Sequence, residues 1–177
     1  PQAYDAVKLL AKVMEEVERI EVLMKSLLNF AKPPKPLLAP ANMNDVLEST
    51  LSLSLYPSLA SNSSNPVEIV KEFDPHLPMI MADPVQMKQI FLNLFMNAIQ
   101  AMPKGGVLAV RTSSGNGLAA GVKIEIADTG KGIDEEIREK IFQPFFTTKH
   151  KGTGLGLAIC KQFVEMHGGT ISAEHNP

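Results

Sequence analysis

The chain has 177 residues, 45% of them hydrophobic, with a formal net charge of −2; that suffices for one ordinary core and a small appendage. The near-neutral balance gives no reason to expect nucleic-acid binding, and a single cysteine, Cys160, excludes a disulfide framework within the chain. No apolar run approaches the roughly twenty residues that span a bilayer, and no signal peptide opens the chain, so a soluble, cytoplasmic molecule without membrane contact is expected.

Residues 2–31 carry Ala3, Ala6, Leu10, Val13, Val17, Ile20, Met24, Leu27 and Ala31 three and four apart, with Lys8, Lys12, Glu15, Glu16, Glu18, Arg19 and Lys25 on the other faces. This is a heptad seam, which one helix cannot bury alone. It either packs on its own domain or pairs with a second copy. Pro33, Pro34 and Pro36 then end the helix, because proline lacks a donor and biases its predecessor away from the α region. A semi-rigid linker is expected over 33–42, and a second domain from 43 onward.

Asn42 or Asn44 can cap a helix over 45–59 with Val46, Leu47, Leu51 and Leu55 on its apolar face. Residues 61–66 read as a loop, 67–73 as an alternating strand and 78–81 as a short second one. Asp83 followed by Pro84 is a helix start, a cap residue before proline at the first helical position. That helix, over 84–102, is apolar at Ile90, Phe91, Leu94, Phe95, Ala98 and Ile99, while Gln86, Gln89, Asn93, Asn97 and Gln100 form a second stripe. Such amides are either solvated surface or groups facing the interior or a ligand. Asn93 and Asn97, four apart, share a face.

A strand over 107–112 and a loop over 113–121 lead to the alternating segment 121–127, which delivers Asp128 to a strand end. A carboxylate there can accept from an exocyclic amine such as that of adenine, and Gly130 and Gly132 allow a sharp turn and close approach of a planar base. Residues 134–141 read as a short charged helix. Phe142, Phe145 and Phe146 are core or a hinge for the polar segment 147–153, whose Lys149 and Lys151 either reach phosphates or stay solvated. Gly152, Thr153, Gly154, Leu155, Gly156 and Leu157 open an apolar helix over 155–167, and a glycine-rich helix N-terminus suits phosphate. Cys160 in that helix reads as a small core residue. Residues 170–173 begin a last strand. One glycine cluster alone is weak evidence, and neither is a P-loop or a dinucleotide fingerprint.

The order of the motifs carries more. Asp128-Thr129-Gly130-Lys131-Gly132-Ile133 resembles the first glycine box of sensor histidine kinases, residues 142–146 their phenylalanine box, residues 152–157 their second glycine box, and residues 89–98 their asparagine box. The nearest resemblance is to the nitrogen-regulation-type branch, and residues 16–31 resemble the second helix of the dimerisation and phosphoacceptor hairpin. The resemblance implies an α/β two-layer sandwich of the GHKL (Bergerat) type from residue 43 on, helices on one face of a mixed sheet, preceded by one hairpin helix over 1–32.

It also implies ATP and Mg²⁺ as cofactors. The ATP contacts would come from Asn93, Asn97, Asp128, Gly130, Gly132, Ile133, Phe142, Phe145, Lys149, Gly152, Thr153, Gly154, Leu155, Gly156 and Leu157, with Mg²⁺ on Asn97. The γ-phosphoryl would move to a histidine and then to an aspartate of a response-regulator receiver domain, in a parent that dimerises through the 1–32 helix and that an upstream anchor can tie to a membrane. Where gyrase B-type and chaperone ATPases have a water-activating glutamate, this chain has Asn93, which cannot act as a base, so transfer is expected over hydrolysis.

None of His76, His150, His167 and His175 matches the acceptor pattern, so the chain is expected to lack the acceptor helix and to be unable to label itself. A last strand is expected to be missing as well. Gln100 stands where several relatives have a basic residue, which gives the lysines of segment 147–153 more weight. A GHKL-type ATPase and a non-catalytic dimerisation module remain as other readings.

Overall fold

A computed structural model describes residues 2–54, 67–115, 121–149 and 152–174. The first element is the expected long helix, α1 (Gln2–Ala31). Val13, Val17, Ile20, Met24 and Leu27 of its seam are all about half exposed, so the stripe is not buried within this chain. Its last turn docks. Gln162 Nε2 donates to the Phe30 carbonyl at 3.4 Å, and Phe30 packs against the rest of the core.

Beyond the prolines, within the stretch 33–42, the chain is held against its neighbours. Residues Ala39–Ala41 form a strand, β1, antiparallel to β3 (Ile80–Ala82), with Ala41 opposite Ile80. Pro40 is tolerated because, among the described residues, β1 has no second neighbour that would need its missing N–H. The segment before β1 is anchored too: the Leu37 N–H donates to Asp83 Oδ2 at 2.9 Å, and Gln86 Nε2 donates to the Pro34 carbonyl at 2.9 Å.

Helix α2 (Met43–Ser54) begins earlier than expected because Asn42 is its cap: Asn42 Oδ1 accepts from the Asn44 N–H at 2.9 Å, and its carbonyl accepts from the Val46 N–H. The rest of the helix expected to 59, and the loop 61–66, lie outside the described residues. Strand β2 (Val67–Glu72) pairs in parallel with β4 (Gly106–Ser114), which pairs antiparallel with β5 (Val122–Asp128). The sheet order is β2-β4-β5. It is therefore mixed, as expected of the sandwich.

Helix α3 (Pro84–Ala101) starts at the Asp83 cap, whose Oδ1 accepts from the Val85 and Gln86 N–H groups at 2.9 and 3.3 Å. Helix α4 (Gly156–Met166) packs beside it. Together with α2 they cover the sheet around Phe95, Phe163, Leu47, Leu51, Leu108 and Val110, all fully buried. Phe91 stacks on Phe95 with ring centroids 6.4 Å apart.

Two expected elements differ. Over 134–141 there are two 3₁₀ turns, Glu135–Ile137 and Lys140–Phe142, in place of one helix. Neither buries a residue, and Asp134 makes no side-chain cap, so nothing offsets the cost of nucleating an α-helix there. Residues 170–174 form no strand: Ile171 packs on the core, yet no ladder joins this segment to β5 among the described residues.

Candidate nucleotide-binding site

Three elements meet at one end of the sheet: the end of β5, the C-terminal half of α3 and the start of α4. Strand pairing carries Asp128 to the last position of β5, opposite Leu108. Its Oδ1 accepts from the Gly130 N–H at 2.8 Å, which turns the chain sharply after the strand. Gly130 lies so close to α3 that a Cβ there would stand 2.8 Å from both the Cβ and the carbonyl oxygen of Ala101. Gly132 takes a left-handed φ of 72°, which a side chain would resist. Thr129 clamps this turn to β4, its Oγ1 accepting from the Val107 N–H at 3.0 Å.

At the start of α4, Thr153 Oγ1 accepts from the Leu155 N–H at 3.1 Å, and Leu155 is buried as the anchor of the turn. Gly154 (φ 67°) is pressed onto the Phe145 backbone, and its carbonyl accepts from the Phe145 N–H at 2.9 Å. Gly152 is likewise pressed onto Thr147 Oγ1. These contacts bring the N-terminus of α4, with its outward N–H groups, beside α3.

The two asparagines part company. Asn93 Nδ2 donates to Cys160 Sγ at 3.2 Å, and a Cβ on Gly156 would stand 2.7 Å from the Asn93 amide, so Asn93 is packed between α3 and α4. Burial there pushes the Cys160 thiol up to about 11, leaving it an inert core group. Asn97, one turn on, faces the site: its Oδ1 accepts from Lys149 Nζ at 2.7 Å, and Gln100 Oε1 accepts from the same ammonium at 2.6 Å. Burial lowers the pKa of Lys149, and Lys131 nearby lowers it further. Two ammonium groups thus share a place where the ammonium of Lys149 is met by neutral oxygens, an arrangement suited to an anionic ligand.

Not every expected residue converges here. Phe145 has φ 66°, is 63% exposed, and turns its ring edge-on to Phe30 at 6.4 Å, toward α1. Phe142 and Leu157 are half-buried, and Ile133 is exposed at the rim. Lys151 and His150 lie outside the described residues. The sequence marks Gln100 as a position where several relatives are basic, without assigning it a contact, and does not single out Lys131 or Thr129; three residues after Asn97, Gln100 shares its helix face. A groove of about 310 Å³ lined by Glu135, Glu136, Arg138, Glu139, Lys140 and Gln143 contains none of the glycine-cluster residues.

A family profile described as "Histidine kinase-, DNA gyrase B-, and HSP90-like ATPase" matches residues 82–177, from the end of β3 through α4. The chain belongs to this family. The resemblance read from the four motifs is borne out, and the two-layer α/β fold is that of histidine-kinase catalytic domains. The chain is 44% identical over 165 residues to the sensor histidine kinase ZraS of Escherichia coli O157:H7, covering 92% of this chain and 34% of that protein. It thus spans about a third of the length of that relative. Among solved structures it is similar to full-length ShkA in complex with AMPPNP (TM-score 0.80, 28% identity, 95% of this chain and 36% of that one). It is also similar to the histidine kinase ThkA in complex with the response regulator TrrA (TM-score 0.74, 28% identity, 96% and 47%).

Proposed function

We propose that this chain is the ATP-binding catalytic part of a cytoplasmic sensor histidine kinase segment, presenting the γ-phosphoryl of ATP to a histidine outside this chain for relay to a response-regulator aspartate. The observation that carries this reading is the Asn97 amide oxygen, already holding a cation, on the same wall as Asp128 and its glycine turn. The AMPPNP bound by ShkA and the regulator bound by ThkA agree with it.

Each group has a part. The Asp128 carboxylate, oriented by the Gly130 N–H, accepts from the exocyclic amine of adenine, and Gly130 and Gly132 leave room for the base. The N–H groups at the start of α4 and the ammonium groups of Lys149 and Lys131 take the phosphates. The donor chemistry suits Mg²⁺: Asn97 offers a hard neutral oxygen. Mg²⁺ held at Asn97 would neutralise charge on the triphosphate.

During transfer the bond from the γ-phosphorus to the ADP oxygen breaks as a phosphorus–nitrogen bond forms to the imidazole, which gives up its proton. Asn93 has no basic oxygen and is held by Cys160, so the site offers no carboxylate one turn before Asn97 to activate water, which favours transfer over hydrolysis. His167 is not the acceptor, because its Nε2 accepts from the Asp83 N–H at 3.0 Å and its Nδ1 donates to the Phe163 carbonyl at 2.7 Å. The exposed stripe of α1 would pair with a second copy in the parent. No described helix is long and apolar enough to cross a membrane.

The test is labelling with γ-labelled ATP. The chain alone should give no acid-labile phosphoprotein and no steady phosphate release. Fused behind a histidine-bearing hairpin helix it should become labelled, and Asn97→Ala should abolish that label. ATP binding with steady phosphate release and no transfer in the fusion would overturn the reading.

A further inference from the structure

The ammonium of Lys149 reaches α3 from a turn whose described ends are hydrogen-bonded. Thr147 Oγ1 accepts from the Lys149 N–H at 3.1 Å, and the Lys149 carbonyl accepts from the Gly152 N–H at 3.1 Å. From that turn one long side chain crosses to α3 and meets Asn97 Oδ1 and Gln100 Oε1 together. Residues three apart on a helix share a face, so the two amides form a ready pair of oxygens for one cation. Gln100 is exposed and makes no contribution to the core. Its side chain therefore has no packing reason to lie where it does.

We infer that Gln100 is a positioning residue: with Asn97 it holds the ammonium of Lys149 against α3, at the place a metal-bound triphosphate would take, and so ties the 147–149 turn to that helix until phosphate oxygens draw the ammonium away. This rests on the nucleotide reading above for what displaces the ammonium, though not for the hold itself. The partners are neutral amides, so the hold is weaker than a contact with phosphate. A cation taking the Asn97 oxygen removes half of it, and the triphosphate offers Lys149 charged oxygens in exchange. Gln100 thus sets how firmly the 147–149 turn is tied to α3.

Trypsin reads this directly, since it must draw the Lys149 side chain into its own pocket to cut after it. In the nucleotide-free chain, cleavage after Lys149, identified by mass spectrometry, should be about fivefold faster in Gln100→Met, which loses one charge-assisted hydrogen bond. In Gln100→Glu, which keeps an acceptor and adds a charge, it should be as slow as wild type or slower. Both variants should melt at the wild-type temperature, because the residue is exposed. Equal cleavage of wild type and Gln100→Met, or Gln100→Glu cut as fast as Gln100→Met, would overturn the inference. Adding Mg²⁺ and AMPPNP tests the underlying reading separately: an analogue that does not bind, while the contrast between the two variants persists, defeats the nucleotide reading and leaves the hold on Lys149 standing.

Discussion

The two halves of α3 are built from the same kinds of residue and end in different states. Toward its start and middle, Asp83, Gln86 Nε2 and Asn93 bond to groups fixed by the fold. Asp83 caps the helix and takes the Leu37 N–H, Gln86 Nε2 reaches the Pro34 carbonyl, and Asn93 is clasped between Cys160 and Gly156. Further along, among the described residues, Asn97 and Gln100 are met by the tip of Lys149, a flexible side chain from a surface turn. A bond to backbone or to a buried neighbour is architecture, whereas a bond to a side chain that can leave at little cost marks a place kept for a ligand. On the proposed function, the same amide chemistry serves stability at one end of the helix and binding at the other.

Mutations should separate the halves cleanly. The largest effect is expected for Asn97→Ala, which should weaken Mg²⁺-dependent nucleotide binding by roughly 100-fold, typical of a lost metal contact, while unfolding free energy changes by less than about 0.5 kcal/mol. Denaturant melts beside nucleotide titrations check both numbers. Asp83→Ala should do the reverse, lowering stability by about 2 kcal/mol through three lost backbone contacts and leaving nucleotide affinity within about twofold, because the cap is at the far end of the helix.

A subtler substitution sharpens the point through pH. Burial raises the pKa of Asp83, but the N–H groups of Leu37, Gln86 and Val85, with His167 close by, more than offset this and hold it below the ordinary 3.8. The folded state therefore favours the charged form, so the contribution is present above that value and lost as pH falls through the lower folded-state value. Wild type should exceed Asp83→Asn by about 1 kcal/mol at neutral pH, and the gap should close in acid melts below about pH 4. The smallest effect is expected for Cys160→Ala, about 1 kcal/mol from a buried sulfur, with nucleotide affinity unchanged; a large loss of affinity would mean that Asn93 belongs to the binding half after all.

Much of this was legible in the residues because the signals were local. The Asp83-Pro84 start, the alternation that delivers Asp128, and the glycines at Gly132 and Gly154, both with left-handed backbone, are consequences of covalent geometry that any neighbour sees. The difference between Asn93 and Asn97 was not legible. It depends on which helix lies against each face, and α4 arrives more than sixty residues later in the chain. β1 was hidden for a similar reason, since Ala39–Ala41 has no strand-forming side chains and exists only because β3 offers it a ladder. Over 134–141 the charge pattern suggested a helix, yet without a face to bury the chain settles into two short turns. The apolar stripe expected on α1 is exposed at Val13, Val17, Ile20, Met24 and Leu27.

The most direct test of the account is a calorimetric titration of ATP into this chain, with and without Mg²⁺, beside Asp128→Asn. Binding strengthened by Mg²⁺ in the wild type and lost in Asp128→Asn, with both proteins melting alike, is the predicted result. Equal ATP binding by the two proteins, or none by a well-folded wild type, would contradict the claim that the turn after β5 and the second half of α3 form a nucleotide site.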